Sequence, residues 1–307
     1  MTGDALSLTD IPIVDAHHHF WDLRRHYYPW LCDPDPIPFR YGDYAPIRRN
    51  YLPPDLARDS HGLHLTRTVH MEAEYDRADP VAETRWLESV NRASGYPSAC
   101  VGHAELDRLD VERVLSGHAA SPLVRGIRHK PKSSLTPSEA RRGAAGSMDD
   151  PRWRAGYALL ERFGFSYDLQ TPWWHLDAAA ELAADFPRTR IIINHTGLPA
   201  DRSVEGLAGW RRALDLVSAR PNVAIKISGL GQPRAPWTLE ANKPVIRDAI
   251  KIFGVERCMF ASNFPVDSLV ASYREIFDGF FRSVDDYSPS DRMKLFNENA
   301  VRFYRLT

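Results

Sequence analysis

Short apolar runs alternate with segments of helical periodicity along the whole chain. Apolar residues recur at helical spacing over Val81–Arg92, Trp153–Phe163, Leu176–Phe186, Leu207–Ala219, Pro244–Phe253 and a last segment from Ser288 to Tyr304. Several of the other runs, such as Ile191–Ile193, are apolar without interruption, which is typical of parallel strands buried on both faces. The strands predicted from these runs are Ile11–Phe20, Thr66–Glu74, Ala99–Glu105, Val124–Lys130, Phe165–Gln170, Arg190–Asn194, Val223–Ser228 and Cys258–Ser262.

Eight successive β-then-α units predict an α/β fold of the (β/α)8, or TIM barrel, type. An open doubly wound sheet is disfavoured, because no Gly-rich phosphate turn follows an early strand. We expect residues 1–307 to form one barrel domain. Its irregular part is a loop after the first strand, residues 21–65, rich in proline and aromatic residues. Such a loop predicts a lid or pocket wall; the alternative is that it packs against a second copy of the chain in a homo-oligomer.

Composition and charge narrow the class of partner. A net charge of −1 provides no field that would attract nucleic acid or an anionic membrane. No apolar run approaches the roughly 20 residues needed to span a bilayer, and the N-terminus does not resemble a signal peptide. The three cysteines are far apart in the sequence, which suits a reducing compartment. We therefore expect a cytoplasmic protein whose partner is a small-molecule substrate.

Every predicted strand ends in ionisable or amide side chains after an apolar body. In a parallel barrel the C-terminal strand ends meet at one mouth, where active sites lie. The pattern therefore predicts one shared polar site. The end residues are His17, His19, His70, Glu72, Glu74, His103, Glu105, Arg128, His129, Lys130, Asp168, Gln170, Asn194, His195, Lys226, Ser228 and Asn263.

Three of these strand-end histidines are arranged in the sequence in a way that predicts a metal-binding site. His17 and His19 are two residues apart on a strand and therefore point to the same side, whereas His18 points to the other. Two converging imidazoles form half of a divalent-metal site, and His195 leaves its strand where a metal or substrate would lie. The alternative is a polar strand end with solvated histidines.

Charged strand ends supply further candidates. Asp168 follows Ser166 and Tyr167 on a buried strand, so it is either a site residue or the partner of a buried cation. Arg128 and Lys130 are predicted to bind an anionic substrate group or a developing oxyanion; their alternative is a salt bridge at the rim. Lys226 has the same two interpretations, and Glu72 is a candidate base or substrate contact.

Several of these stretches together resemble the amidohydrolase superfamily, in its amidohydrolase 2 branch of sugar-acid and aromatic-pathway lactonases. The resemblance spans nearly the whole chain in the expected order. Its pieces are Val14–Asp22, Gly126–Arg128, Asp168–Leu169, Asn194–Gly197, Lys226–Leu230, Ser262–Val266, Asn299–Ala300 and Phe303–Tyr304.

The resemblance implies a barrel enzyme that adds water to a small, anionic lactone, with one divalent metal, Zn²⁺ or alternatively Mn²⁺, on His17, His19 and His195. Asn263 stands where the family usually carries an aspartate, so the metal would be held weakly or be absent, and the general base would move to Asp168, Glu72, Asp267 or His195.

Asn263 leads to two alternative functions. The loop after the first strand supplies two further candidate substrate-binding residues. A decarboxylase of the same superfamily is one alternative, since losing a base impairs hydrolysis more than it impairs protonation of a carbanion. A metal-independent lactonase using Arg128, Lys130 and His195 is the other. In the loop, Trp21 and Tyr28 are expected to contact the substrate.

Overall fold

The computed structural model describes residues 7–307. Eight parallel strands form one sheet in chain order. Backbone hydrogen bonds join the end of β1 to the segment after β8. Asn263 N donates to the His17 carbonyl at 2.8 Å, and His19 N donates to the Phe264 carbonyl at 2.7 Å. The predicted barrel is therefore confirmed. The strands are β1 Ile13–His18, β2 Leu65–Met71, β3 Ala99–His103, β4 Val124–Arg128, β5 Ser166–Leu169, β6 Ile191–Ile193, β7 Val223–Ile227 and β8 Cys258–Phe260.

Helices separate the strands. None of those in residues 7–307 is both long and apolar enough to cross a membrane. The helices are α1 Pro29–Cys32, α2 Pro53–Asp59, α3 Ala82–Ser94, α4 Val111–Ala119, α5 Pro151–Arg162, α6 Leu176–Asp185, α7 Val204–Ser218, α8 Leu239–Phe253, α9 Tyr273–Ser283, α10 Pro289–Met293 and α11 Asn299–Tyr304. Short 3₁₀ turns lie at Ala45–Ile47, Pro137–Glu139, Trp173–His175, His195–Gly197, Val255–Arg257 and Val266–Leu269, and a π-helical turn at Lys294–Glu298 joins α10 to α11.

The apolar core has two parts. A large cluster fills the space between the strands and the surrounding helices. A smaller cluster lies inside the barrel, where Val14, Val69 and Ala99 meet Phe303 and Tyr304 of α11. Because these strand residues precede the polar strand ends, α11 closes the end of the barrel opposite the polar mouth.

The predicted loop is present, ends at residue 64 because β2 begins at Leu65, contains α1 and α2, and packs on the C-terminal ends of the strands. Its residue Trp30 donates from Nε1 to the Ala73 carbonyl just after β2, at 2.9 Å. The Trp30 and Phe39 rings stack with centroids 5.7 Å apart. At the other side of the mouth, the Tyr41 hydroxyl donates to Asp267 Oδ1 at 2.9 Å. The loop is thus fixed at both sides of the mouth.

Candidate active site

A cavity of about 220 Å³ opens at the C-terminal ends of the strands, under the loop. It brings together seven of the strand-end residues predicted from the sequence, namely His19, Glu74, Arg128, Lys130, Gln170, His195 and Asn263. The full lining is His19, Trp30, Ile37, Pro38, Phe39, Arg40, Ala73, Glu74, Arg128, Lys130, Gln170, His195, Asn263 and Val266.

Three lining residues have a left-handed backbone conformation that side chains other than glycine rarely adopt. The φ angles are 59° at Glu74, 53° at His195 and 57° at Asn263. Such conformations cost on the order of 1–3 kcal/mol each and cluster at functional sites. Their concentration around one cavity marks it as the functional centre of the molecule.

A β-bulge in β1 turns His17, together with His19 just after the strand, into the barrel. The pairing of β1 with β2 shifts register between Asp15 and His18. Asp15 therefore faces outward, where its carboxylate accepts from the hydroxyls of Ser262 at 2.6 Å and Tyr273 at 3.0 Å. His17 points inward together with His19, with ring centroids 5.1 Å apart. Bulges commonly re-aim side chains beside active sites in this way.

The hydrogen bonds of these two histidines require opposite tautomers. Nδ1 of His19 lies 2.8 Å from the Met71 carbonyl, which can only accept, so Nδ1 carries the hydrogen and Nε2 has a free lone pair. Nδ1 of His17 lies 3.5 Å from the Lys226 ammonium, which can only donate, so Nε2 carries the hydrogen there. Nε2 of His17 is buried and has no hydrogen-bond partner among residues 7–307. His17 lies beneath the cavity, and of the pair His19 lines it.

Both rings are neutral at neutral pH. Burial, with the charge of Lys226, holds the pKa of His17 well below its usual range. Burial, with the charge of Arg128, does the same to the pKa of His19. A neutral imidazole with a lone pair on Nε2 can accept a proton, so His19 is the candidate base on the cavity wall.

His195 lies close to this pair, with its ring centroid 4.5 Å from that of His17. Its Nδ1 lies 3.1 Å from Ser228 Oγ. Gly229, at φ +62°, lets the ring approach, because a Cβ there would lie 2.7 Å from His195 Nδ1. Burial and the charges of Arg40 and Arg128 lower the pKa of His195 well below its usual range.

Asp168 and Lys226 form a buried ion pair beneath the cavity. Lys226 Nζ lies 2.7 Å from Asp168 Oδ1, both side chains are fully enclosed, and the Tyr304 hydroxyl donates to the same oxygen at 2.7 Å. Burial lowers the pKa of Lys226 to about 8. Of the two sequence interpretations of Asp168, the structure shows the partner of a buried cation. Neither residue lines the cavity, so the predicted Lys226–substrate contact is not formed at its wall.

Arg128 is fixed by a second buried ion pair. Its Nε lies 2.7 Å from Glu72 Oε1, and its Nη1 donates to Gln170 Oε1 at 3.2 Å. Burial acts against ionisation of Glu72, but Arg128 and His103 hold the pKa of Glu72 below its usual range. Glu72 thus positions Arg128 and does not face the cavity. Lys130 forms the predicted alternative, a rim salt bridge, with Glu74.

The loop contributes other residues to the wall than the two predicted. Trp21 is buried and its ring stacks on His19 at 6.0 Å, so it supports that imidazole from behind. Tyr28 is also fully buried and outside the cavity lining. Trp30 and Arg40 line the cavity instead. Sequence reasoning missed Arg40, because a single arginine in an irregular loop gives no periodicity or spacing signal.

Asn263 shares its neighbourhood with a carboxylate one helical turn further on. Its Nδ2 donates to Asp267 Oδ1 at 2.6 Å. Burial raises the pKa of Asp267. Asp267, one of the candidate bases, is covered by Asn263 and Tyr41 and does not line the cavity.

Within residues 7–307, no group of three or more His, Cys, Asp or Glu side chains is arranged to hold a metal ion. In the tautomer set by Lys226, Nε2 of His17 has no lone pair for a metal, and the ammonium adds positive charge beside it. Asn263 supplies a neutral amide and no compensating charge. The donor set does not fit the Zn²⁺ or Mn²⁺ centre expected on His17, His19 and His195.

Three known proteins are similar to this chain over nearly all of the given sequence. It is 40% identical over 299 residues to the uncharacterized protein y4mH of Sinorhizobium fredii, covering 97% of this chain and 100% of that protein. It is 28% identical to the L-fucono-1,5-lactonase of Burkholderia ambifaria, covering 95% of each. The crystal structure of an amidohydrolase from Burkholderia multivorans with bound zinc superimposes with a TM-score of 0.80 at 26% identity, covering 96% of this chain and 99% of that one.

The family comparison agrees with the geometry of the mouth. Residues 14–306 match the amidohydrolase family, a range that contains all eight strands except the first residue of β1 and every residue of the cavity wall. We conclude that this protein is an enzyme of the amidohydrolase family.

Proposed function

We propose that this protein is a hydrolase that opens a small lactone by adding water to its carbonyl carbon. One observation carries the proposal: a neutral imidazole with a free lone pair, His19, and a fixed guanidinium, Arg128, line the same cavity. A base for water and a cation for the carbonyl oxygen are the two groups that ester hydrolysis needs. The similarity to L-fucono-1,5-lactonases supports a cyclic ester as the substrate class.

In this mechanism His19 Nε2 accepts a proton from water while the water oxygen bonds to the lactone carbonyl carbon. Arg128 stabilises the negative charge that develops on the carbonyl oxygen. The ring C–O bond then breaks, and the leaving alkoxide takes the proton from His19. The product is a hydroxy acid, whose carboxyl group releases one proton to the solution at neutral pH.

The neighbours of these groups have supporting roles. Glu72 and Gln170 hold the Arg128 guanidinium, and the Lys226–Asp168 pair keeps the neutral His17 in one tautomer below the cavity. Trp30 and Phe39 form an apolar wall under the loop, which limits the water that reaches the carbonyl. A cytoplasmic location is proposed as well, supported by three free cysteine thiols.

A decarboxylase is the second candidate, favoured by Asn263, which places an amide in the cavity wall. A Zn²⁺- or Mn²⁺-dependent lactonase is a variant of the first, suggested by the zinc-bound amidohydrolase. It would require Lys226 to move away from His17 or to lose its proton.

The test is a pH-stat assay on a panel of sugar-acid lactones and carboxylated γ-butyrolactones, run beside carbon dioxide detection on hydroxylated benzoates. The proposal predicts one proton released per lactone opened and no carbon dioxide. Carbon dioxide release with no lactone opened would establish the decarboxylase instead.

A further inference from the structure

Arg40, in the loop over the mouth, is a cavity-wall cation whose hydrogen-bonding capacity is mostly unused. It donates from Nη2 to Asp267 Oδ1 at 3.4 Å, which is its one hydrogen bond within residues 7–307. Although 29% of the Arg40 side chain is exposed, its Nη1 is buried and has no hydrogen-bond partner in the part of the chain that the structure describes. A guanidinium has five N–H donors. An enclosed donor without an acceptor is unfavourable, so this arrangement favours an oxygen-bearing ligand beside Arg40.

Asp267 fixes where this guanidinium lies. Its Oδ1 accepts from Tyr41 at 2.9 Å and from Asn263 at 2.6 Å, as well as from Arg40. The Arg40 guanidinium also lies over the Tyr41 ring, 4.6 Å from the centroid. One carboxylate oxygen shared by three donors neutralises Arg40 less fully than a dedicated partner would. Arg40 is therefore held in place while its remaining donors stay available.

The other two cations of the wall differ from Arg40. Arg128 donates to the side chain of Glu72, to the Glu72 carbonyl and to Gln170. Lys130 is paired with Glu74 at the rim. Both are engaged by protein groups before any substrate arrives, and Arg40 has the largest unused donor capacity of the three.

We propose that Arg40 binds a carboxylate of the substrate and that it makes the enzyme select lactones that carry a carboxylate over neutral lactones. Arginine is suited to this task because its planar N–H groups bind a carboxylate through charge-assisted hydrogen bonds. The inference rests on the proposed function in one respect, namely that the ligand of the cavity is the lactone. Arg40 would be a specificity-determining residue, with Asp267 as its positioning residue.

The test uses a ligand pair that cannot be hydrolysed, so it does not depend on turnover. The probes are 3-oxocyclopentane-1-carboxylate and its neutral carboxamide, in which a ring carbon replaces the lactone oxygen. Calorimetric titration measures both on the wild-type protein and on Arg40→Met, Arg40→Lys and Arg24→Met. Arg24 is the matched control, because it lies in the same loop with its side chain 81% exposed.

The wild type should bind the carboxylate at least about tenfold more tightly than the carboxamide. Arg40→Met should reduce this ratio to about one, Arg40→Lys should keep part of it, and Arg24→Met should keep all of it. The proposal would be overturned if Arg40→Met and Arg40→Lys kept the wild-type ratio of carboxylate to carboxamide affinity. It would also be overturned if the wild type showed no preference for the carboxylate or did not bind it. Lactone opening without any carboxylate preference would overturn this inference alone; a carboxylate preference without lactone opening would overturn the hydrolase alone.

Discussion

Lys226 and His17 meet beneath the cavity, with Nζ of the lysine 3.5 Å from Nδ1 of the histidine. A histidine in contact with an ammonium must accept at that nitrogen and carry its hydrogen at the other. His19, two residues further along the chain and just after β1, faces the Met71 carbonyl and has the opposite tautomer. The histidine pair is therefore divided between one buried hydrogen-bond donor and one base with a free lone pair.

Removing the buried Lys226 ammonium should lower the free energy of unfolding strongly. Lys226→Met leaves the Asp168 carboxylate enclosed with Tyr304 as its remaining partner, and breaking such a pair costs about 3–5 kcal/mol. Urea unfolding should show this loss, and the double variant Lys226→Met/Asp168→Asn should recover part of it because no charge stays unpaired. A loss below about 1 kcal/mol in the single variant would show that the pair is not formed.

Chelation should leave turnover intact, because the donor set around His17 does not fit a metal ion. Protein dialysed against a chelator and checked by elemental analysis should open its lactone at the rate of the untreated enzyme. Loss of activity on chelation would contradict these roles of the histidines if one equivalent of Zn²⁺ or Mn²⁺ restored it. Mg²⁺, which should not restore activity, is the control.

On the acid side, kcat/KM should not change with pH down to about pH 6. The pKa values of His19 and His195 are well below the usual histidine range, so both rings stay neutral there. We therefore expect kcat/KM to be constant between about pH 6 and pH 7.5. A decline governed by an apparent pKa near 6.5, the ordinary histidine value, would mean that a normally solvated histidine controls the reaction.

Glu83 should make the wild-type protein less stable as the pH rises. Its buried carboxyl accepts from the Ala73 amide at 3.0 Å, and burial raises its pKa from 4.5 to about 8. The folded state therefore binds a proton more tightly than the unfolded state, so the stabilisation is complete below about pH 4.5 and is lost as the pH rises through 8.

The isosteric variant Glu83→Gln keeps the acceptor and removes the titration. Between about pH 5 and pH 8, the wild type should lose at least about 2 kcal/mol of unfolding free energy relative to this variant, since a pKa difference of one is worth about 1.4 kcal/mol. Parallel stability curves for the two proteins would show that Glu83 titrates normally.

The barrel and the position of its mouth could be predicted from sequence because they follow from local signals. Uninterrupted apolar runs such as Ile191–Ile193 define buried strands, and polar residues that end them define the mouth. All eight strands are shorter than predicted. Their polar ends, such as Glu74, whose backbone N–H donates to the Glu72 side chain, leave the hydrogen-bonded ladder to line or support the cavity.

Contacts distant in sequence could not be predicted. Asp168 and Lys226 both follow strand patterns, but their pairing depends on the closure of the barrel across its interior. The wall position of Arg40 depends on the path of an irregular loop, and the roles of His17 and His19 depend on Lys226 and the Met71 carbonyl. Alternation along β1 was sufficient to place the two histidines together, but their tautomers depend on neighbours from other strands.

The most direct test of the central claim is the turnover of His19→Ala on a lactone that the wild type opens, with His61→Ala as the control. His61 is an exposed histidine outside the cavity. Loss of a general base lowers turnover by about 10²–10⁴-fold. We therefore expect kcat of His19→Ala to fall at least about a hundredfold while the protein stays folded, and kcat of His61→Ala to equal that of the wild type. A kcat for His19→Ala within about threefold of the wild type would contradict the assignment of His19 as the base.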